Sequence, residues 1–191
     1  MRITVGGYLD HFFQQTRNHH VRLSMQADFK AQTMMTVASL VITLSARYLT
    51  EPALQWAAVA MILFCMLSVF SAILAVMPRL PRPLPPGTRI DARSPGFNIL
   101  FFGSYISLSH EEYMAEMERV ANDPNRVYEA MCNELYGLGV FLARTKYRYL
   151  RWSYQFFLTG MFASVFIVIV TEILGMLGHP VATFFVPGVK P

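Results

Sequence analysis

Residues 53–77 read ALQWAAVAMILFCMLSVFSAILAVM, a run with no charged side chain that stops at Pro78. A helix needs about 20 mostly apolar residues to cross the hydrocarbon core of a bilayer. This run therefore predicts a membrane span. A second run, WSYQFFLTGMFASVFIVIVT at 152–171, is also uncharged, and Glu172 follows it near its far end. A third stretch, 31–46, is shorter and is diluted by Gln32, Thr33, Thr36, Ser39, Thr43 and Ser45. Only residues 47–52 separate it from the first run. A connection that short belongs to a tight hairpin, so the two stretches are expected to cross together as a hairpin over 31–77. The third transmembrane helix is expected over 152–177.

Bulk composition argues against a soluble bundle. Apolar residues make up 54% of the chain, against about 45–50% in an ordinary domain. Charged residues make up 15%, against about 25%. Stretch 31–46 does not read as a signal peptide: some 30 residues rich in Phe, His and Arg precede it and no small-residue cleavage site follows. Lys and Arg distribution sets the orientation. Four lie before residue 31, one between the first two spans, ten between 78 and 151, and one, Lys190, in the tail. The fold expected is thus an all-α membrane protein of three transmembrane helices, with N-terminus inside and C-terminus outside. The net charge of +4 is an orientation signal and an attraction to anionic lipid, and no nucleic-acid polymer is implied.

The polar parts are small. Between Tyr8 and Thr50 there is no Pro or Gly, so a cytoplasmic amphipathic helix over 1–30 is expected to run into the first span. Its apolar stripe reads Leu9, Phe12, Phe13, His20, Leu23 and Ala27. Residues 78–96 hold six prolines and four arginines, an extended linker with its guanidinium groups on headgroups. Residues 97–151 form the remaining cytoplasmic segment, and 178–191 an external tail. Within the former, 97–107 is rich in aromatic and β-branched residues and allows a short strand or an interfacial turn. Ser109 and Glu112 then read as a capping box, and Asp123-Pro124 as a second helix start. A helix from Pro124 to about Leu177 would be roughly 80 Å long at 1.5 Å per residue. Gly137 and Gly139 are its candidate breakers, and Met131, Leu135, Leu138 and Leu142 its inner stripe.

No catalytic constellation is visible: there is no phosphate loop, no zinc-protease helix and no nucleophile elbow. A non-enzymatic role is expected, without a cofactor or metal. Cys65 and Cys132 fall in different compartments and read as reduced thiols. His19 and His20 are adjacent, hence on different helix faces, and with His11 read as interfacial side chains. Asp28 and Lys30 stand where the first span begins. They serve either as a helix end with a snorkelling lysine or as part of a polar site beside the membrane. Glu172 is either solvated at the interface or a charge in a pore lining. The cluster from Lys146 to Trp152 is either a basic-aromatic anchor or an anion site.

These pieces recur in a known order. Asp28-x-Lys30-Ala31 opens the first span. Asn98-x-x-Phe101-Phe102-Gly103 leads to Ser109-x-Glu111-Glu112-Tyr113. Tyr136, then Lys146-Tyr147-x-x-Leu150, then Tyr154 and Gly160 follow. Over residues 25–166 the chain resembles the transmembrane effector family of the Pycsar bacterial antiphage systems. The resemblance implies an effector that answers a cyclic pyrimidine mononucleotide, cCMP or cUMP, and impairs the inner membrane. It implies candidate ligand residues Asp28, Lys30, Asn98, Phe101, Phe102, Tyr113, Tyr136, Lys146 and Tyr147, with Gly103 and Glu112 as further family-like positions. Aromatic faces suit a base, and Lys30, Lys146 or Arg148 suits its phosphate. Three spans with few polar residues enclose no aqueous pore alone, so a homo-oligomer is expected. The small residues Ala57, Ala58, Ala60, Gly160, Ala163 and Ser164 would let helices approach closely. The alternative is a membrane scaffold that holds a cytoplasmic partner.

Overall fold

A computed structural model of the chain describes residues 7–78, 97–106 and 108–178. Among these the elements are helical: α1 Gly7–Ala46, a 3₁₀ turn Arg47–Thr50, α2 Gln55–Val76, α3 Phe102–Tyr105, α4 His110–Ala121, α5 Pro124–Phe141, a π-helical turn Leu142–Tyr147, and α6 Arg148–Met176. The proline-rich linker expected after Pro78 and the tail expected after Gly178 lie outside the described residues. Contacts divide the chain into two units. The first comprises Met1–Ser24 and Pro78–Ala143, the second Met25–Met77 and Arg144–Pro191.

Helix ends follow local chemistry. The Ser109 hydroxyl accepts from the Glu112 amide at 3.2 Å while the Glu112 carboxylate accepts from the Ser109 amide at 2.9 Å, closing the expected capping box at the start of α4. Asp123 accepts from the Asn125 amide at 3.0 Å, and Pro124 opens α5 where a missing N–H costs nothing. α6 stops at Gly178, whose φ of 76° is a left-handed cap that favours glycine. Gly137 and Gly139 do not break α5, which runs through both. The expected helix from Pro124 to about Leu177 is present as α5, the π-helical turn and α6. Residues 101–106 take a helical turn, not a strand. The Asn98 Oδ1 accepts from the Leu100 amide at 3.0 Å, and the Phe101 carbonyl accepts from the Ser104 amide at 2.9 Å. A local side-chain-to-backbone bond that turns the chain ahead of α3 competes here with β-propensity.

In the first unit α4 packs on α5. Its buried residues include Phe13, Ile99, Val120, Tyr128 and Leu142. Phe13 stacks on Tyr128, with ring centroids 5.7 Å apart. Met131, Leu135 and Leu138 are half-buried beside Leu142, as the α5 stripe requires. The α1 stripe departs from expectation at Phe12, which is 61% exposed. The buried face runs instead through Phe13, Thr16, His20, Leu23 and Ala27. Neighbouring residues differ by about 100° around a helix, and the face that α5 meets is Phe13's.

The second unit is packed in the reverse sense to a water-soluble domain. α2 lies against α6. Its buried residues include Ala27, Ala31, Ala38, Gln55, Ala57, Ala58, Cys65, Ser68, Ser71, Ala72, Ala75, Ser153 and Gly160. Large side chains point outward: Leu40, Leu44, Leu63, Met66, Phe70, Phe162, Val165, Phe166, Ile169 and Ile173 are all exposed. Ser68 joins the two helices, its hydroxyl donating to the Ser153 carbonyl at 2.8 Å and lying 3.0 Å from the Ser153 hydroxyl. The Ser164 hydroxyl donates to the Ala57 carbonyl at 3.1 Å. Small residues inside, large apolar residues outside and serines as glue are what helices in lipid require, since lipid already solvates leucine. Two helices among the described residues are long and apolar enough to span: Gln55–Val76 and, within its length, Pro124–Met176. Among the described residues the fold is thus all-helical, and the chain is membrane-associated.

Candidate functional site

The second unit brings Asp28, Lys146 and Tyr147 to one place. The Lys146 Nζ donates to both oxygens of Asp28 at 2.7 Å. The side chains are 12% and 32% exposed, respectively, so the pair is screened from water more on the lysine side. In the same unit Ala27, Ala31, Ala72, Ala75 and Leu150 form a buried apolar cluster, with Tyr147 and Tyr149 packed against it. Lys146 belongs to the π-helical turn. One extra residue in a turn re-aims the side chains that follow it, and here it precedes the spanning stretch. Lys30, two residues from Asp28, is exposed. Lys146 is thus engaged with Asp28 in this structure. Arg148 stands over the rings of Tyr149 and Trp152, 5.3 and 5.1 Å from their centroids. This is a cation–aromatic group within the cluster. Glu172 is exposed near the end of α6.

Asn98, Phe101, Phe102, Tyr113 and Tyr136 lie in the first unit. Asn98 spends its side-chain oxygen on the Leu100 amide. Phe101 and Phe102 are half exposed, with centroids 5.1 Å apart. A side chain at Gly103 would run into the Phe101 ring, so the glycine lets that ring fold back. Tyr113 meets Tyr105, centroids 5.0 Å apart. Tyr136 is 74% exposed on α5, and Glu112 serves the capping box.

A cleft that the sequence did not reveal opens in the same unit. It holds about 390 Å³ and is lined by Asp10, Phe13, Gln14, Arg17, Leu100, Met131, Glu134 and Leu135. Arg17 pairs with Glu134 at 3.2 Å. Asp10 accepts from the Tyr128 hydroxyl at 2.9 Å. That bond holds the Tyr128 phenol above its ordinary pKa, and burial pushes the same way. A raised value means the folded state favours the neutral phenol. The stabilisation is therefore fully present below the ordinary value of 10.0 and is lost as pH rises through the higher folded value. Tyr128→Phe is expected to remove a tyrosine that ionises above the ordinary value from an alkaline absorbance titration. It is also expected to flatten the loss of stability in that range. A titration curve that loses an ordinary tyrosine instead would contradict this bond. The single signal in the sequence was the spacing of Asp10, Gln14 and Arg17, one row on α1.

Cys65 is buried and Cys132 half-buried, both as free thiols. No group of three or more His, Cys, Asp or Glu side chains converges among the described residues. No curated protein and no solved structure matches the chain. Residues 12–173 match the Pycsar effector protein domain. That span takes in most of both units: in one the aromatic turn and the cleft lining other than Asp10, and in the other the Asp28–Lys146 pair and the inverted packing of α2 on α6. The chain accordingly belongs to the Pycsar effector family, whose members act in antiphage defence.

Proposed function

We propose that the chain is a non-enzymatic effector which crosses a bacterial inner membrane three times and, on meeting cCMP or cUMP, assembles with further copies and impairs that membrane. The inverted packing of the second unit carries this reading, because outward Leu, Phe and Ile side chains need lipid or another apolar helix. The crossing by 31–46 is supported by how its polar groups are spent. Thr33, Thr36 and Thr43 donate to the carbonyls of Phe29, Gln32 and Ser39 on their own helix at 2.9, 3.1 and 3.0 Å. Hydroxyls satisfied internally cost little in hydrocarbon. Ala31, Met34 and Ala38 face inward, and Val37, Leu40 and Leu44 outward. Lysine and arginine counts favour the N-terminus and residues 78–151 inside, where a nucleotide that cannot cross lipid would find the first unit.

Expression with a pyrimidine nucleotide cyclase is expected to collapse the membrane potential, read by a voltage-sensitive dye, while the effector alone leaves it intact. Depolarisation without the cyclase would defeat the reading. So would a purified protein indifferent to every cyclic nucleotide offered. The exposed Phe101, Phe102 and Ile106 favour one other role, a scaffold for a cytoplasmic protein. That role predicts a stable co-purifying partner and an unchanged potential.

A further inference from the structure

We propose that Arg148 and Arg151, at the start of α6, form a site for the headgroup of an anionic phospholipid whose acyl chains lie along the same helix face. The site stands on the membrane association of the second unit and not on the nucleotide reading.

The basic cluster of the sequence divides in the structure. Lys146 binds both carboxylate oxygens of Asp28. Arg148 and Arg151 are exposed, and among the described residues no carboxylate pairs with either. The second unit has no spare acid at this end. Its acidic residues are Asp28, Glu51 and Glu172, and Asp28 holds Lys146. α2 and α6 run antiparallel: the Ser68 hydroxyl donates to the Ser153 carbonyl at 2.8 Å, while the Thr171 hydroxyl lies 3.3 Å from the Ala53 carbonyl. Glu51 and Glu172 therefore sit at the other end, and Glu172 is roughly 30 Å along α6 from Arg151.

The charge is held at the edge of the apolar run. Trp152 opens the uncharged stretch 152–171. The Arg148 guanidinium lies 5.1 Å from the Trp152 ring centroid and 5.3 Å from that of Tyr149. The two rings meet edge to face at 5.5 Å. Indole and phenol rings at the end of a span sit at headgroup level. Arg151, three residues on, is a neighbour of Arg148 on the helix surface, where like charges repel. A phosphate between them relieves that repulsion, and guanidinium forks match its oxygens.

The continuation of this face favours a lipid over a soluble anion. From Arg151, in steps of four and three residues, come Gln155, Leu158, Phe162, Val165 and Ile169, all exposed. One face thus carries cations, then a single polar side chain, then an apolar strip. A phospholipid has the same order of polarity from headgroup to chain. A free phosphate would leave the strip uncovered.

The test is quenching of Trp152 fluorescence by chain-brominated phosphatidylglycerol or phosphatidylcholine, added to the full chain in an uncharged detergent. Trp56→Phe leaves Trp152 as the sole tryptophan. On that background phosphatidylglycerol is expected to be preferred about tenfold or more. Arg148→Gln or Arg151→Gln alone is expected to cut the preference about fivefold, and the two together to abolish it. Melting temperatures should not change, since both side chains are exposed. Arg47→Gln removes the same charge from an exposed arginine at the other end of the unit, 5.3 Å over Tyr48. It is expected to move the preference by less than about twofold. Equal quenching by the two lipids overturns the site. So does a loss with Arg47→Gln as large as with the double variant, which would mean diffuse attraction to net charge. Displacement of phosphatidylglycerol by an excess of inorganic phosphate would show a site for soluble anions and overturn the lipid assignment.

Discussion

Gly160→Ala is expected to force α2 and α6 apart. An alanine Cβ at this position would stand 2.6 Å from the Phe64 Cβ, 3.4 Å from its Cγ and 3.7 Å from the Met61 Sδ. The Phe64 Cβ cannot swing aside as a ring can, because it moves with the backbone of α2. Glycine buried at a helix contact is thus what sets the separation of the pair, as in other close crossings within lipid. Overpacking of this kind costs about 1–3 kcal/mol. The measurement is reversible unfolding of the detergent-solubilised protein. Phe64→Gly deletes the atom that would be struck, at the price of a weaker α2. On that background Gly160→Ala should cost much less, which a double-mutant cycle reads directly. An undiminished cost there would show that the collision is not the cause.

Lys146→Met is expected to be nearly as damaging, for an electrostatic reason. It leaves the partly buried Asp28 carboxylate without the ammonium that binds both its oxygens. Breaking a fully buried ion pair costs about 3–5 kcal/mol. Asp28 is 32% exposed, and water recovers part of that, so a loss of about 1–3 kcal/mol is expected. Asp28→Asn on top of Lys146→Met removes the stranded charge and should restore stability relative to Lys146→Met alone. A double variant worse than either single one would mean that the pair is not the unit that matters. Lys146 sits in the π-helical turn that leads into α6, so the depolarisation assay on the same variants tells whether this contact also carries the response.

The caps at Ser109 and Asp123 were legible because each involves groups no more than three residues apart. So was the uncharged run that became α2, since transfer to lipid depends on composition over one helix length. Phe12 was misplaced because two adjacent apolar residues both fit a helical stripe, and only the partner helix chooses between them. The turn at 101–106 went unassigned because the local Asn98–Leu100 bond competes with aromatic β-propensity. The π-helical turn at 142–147 has no Pro or Gly to announce it. Asp28 and Lys146 were each named, yet their pairing spans 118 positions. The cleft was missed altogether: Asp10, Gln14 and Arg17 look like a solvated row on α1 until Glu134 and Met131 of α5 face them.

Apolar length and turn chemistry are properties of short windows, and they alone dictated the long helices, membrane association and where α4 and α5 start. Which charges pair, which face of α1 is covered and where a cavity forms depend on surfaces brought together from distant parts of the chain. Those surfaces exist only after packing, so tertiary structure decided them: the same aspartate is a helix end in one context and half of a partly buried ion pair in this one.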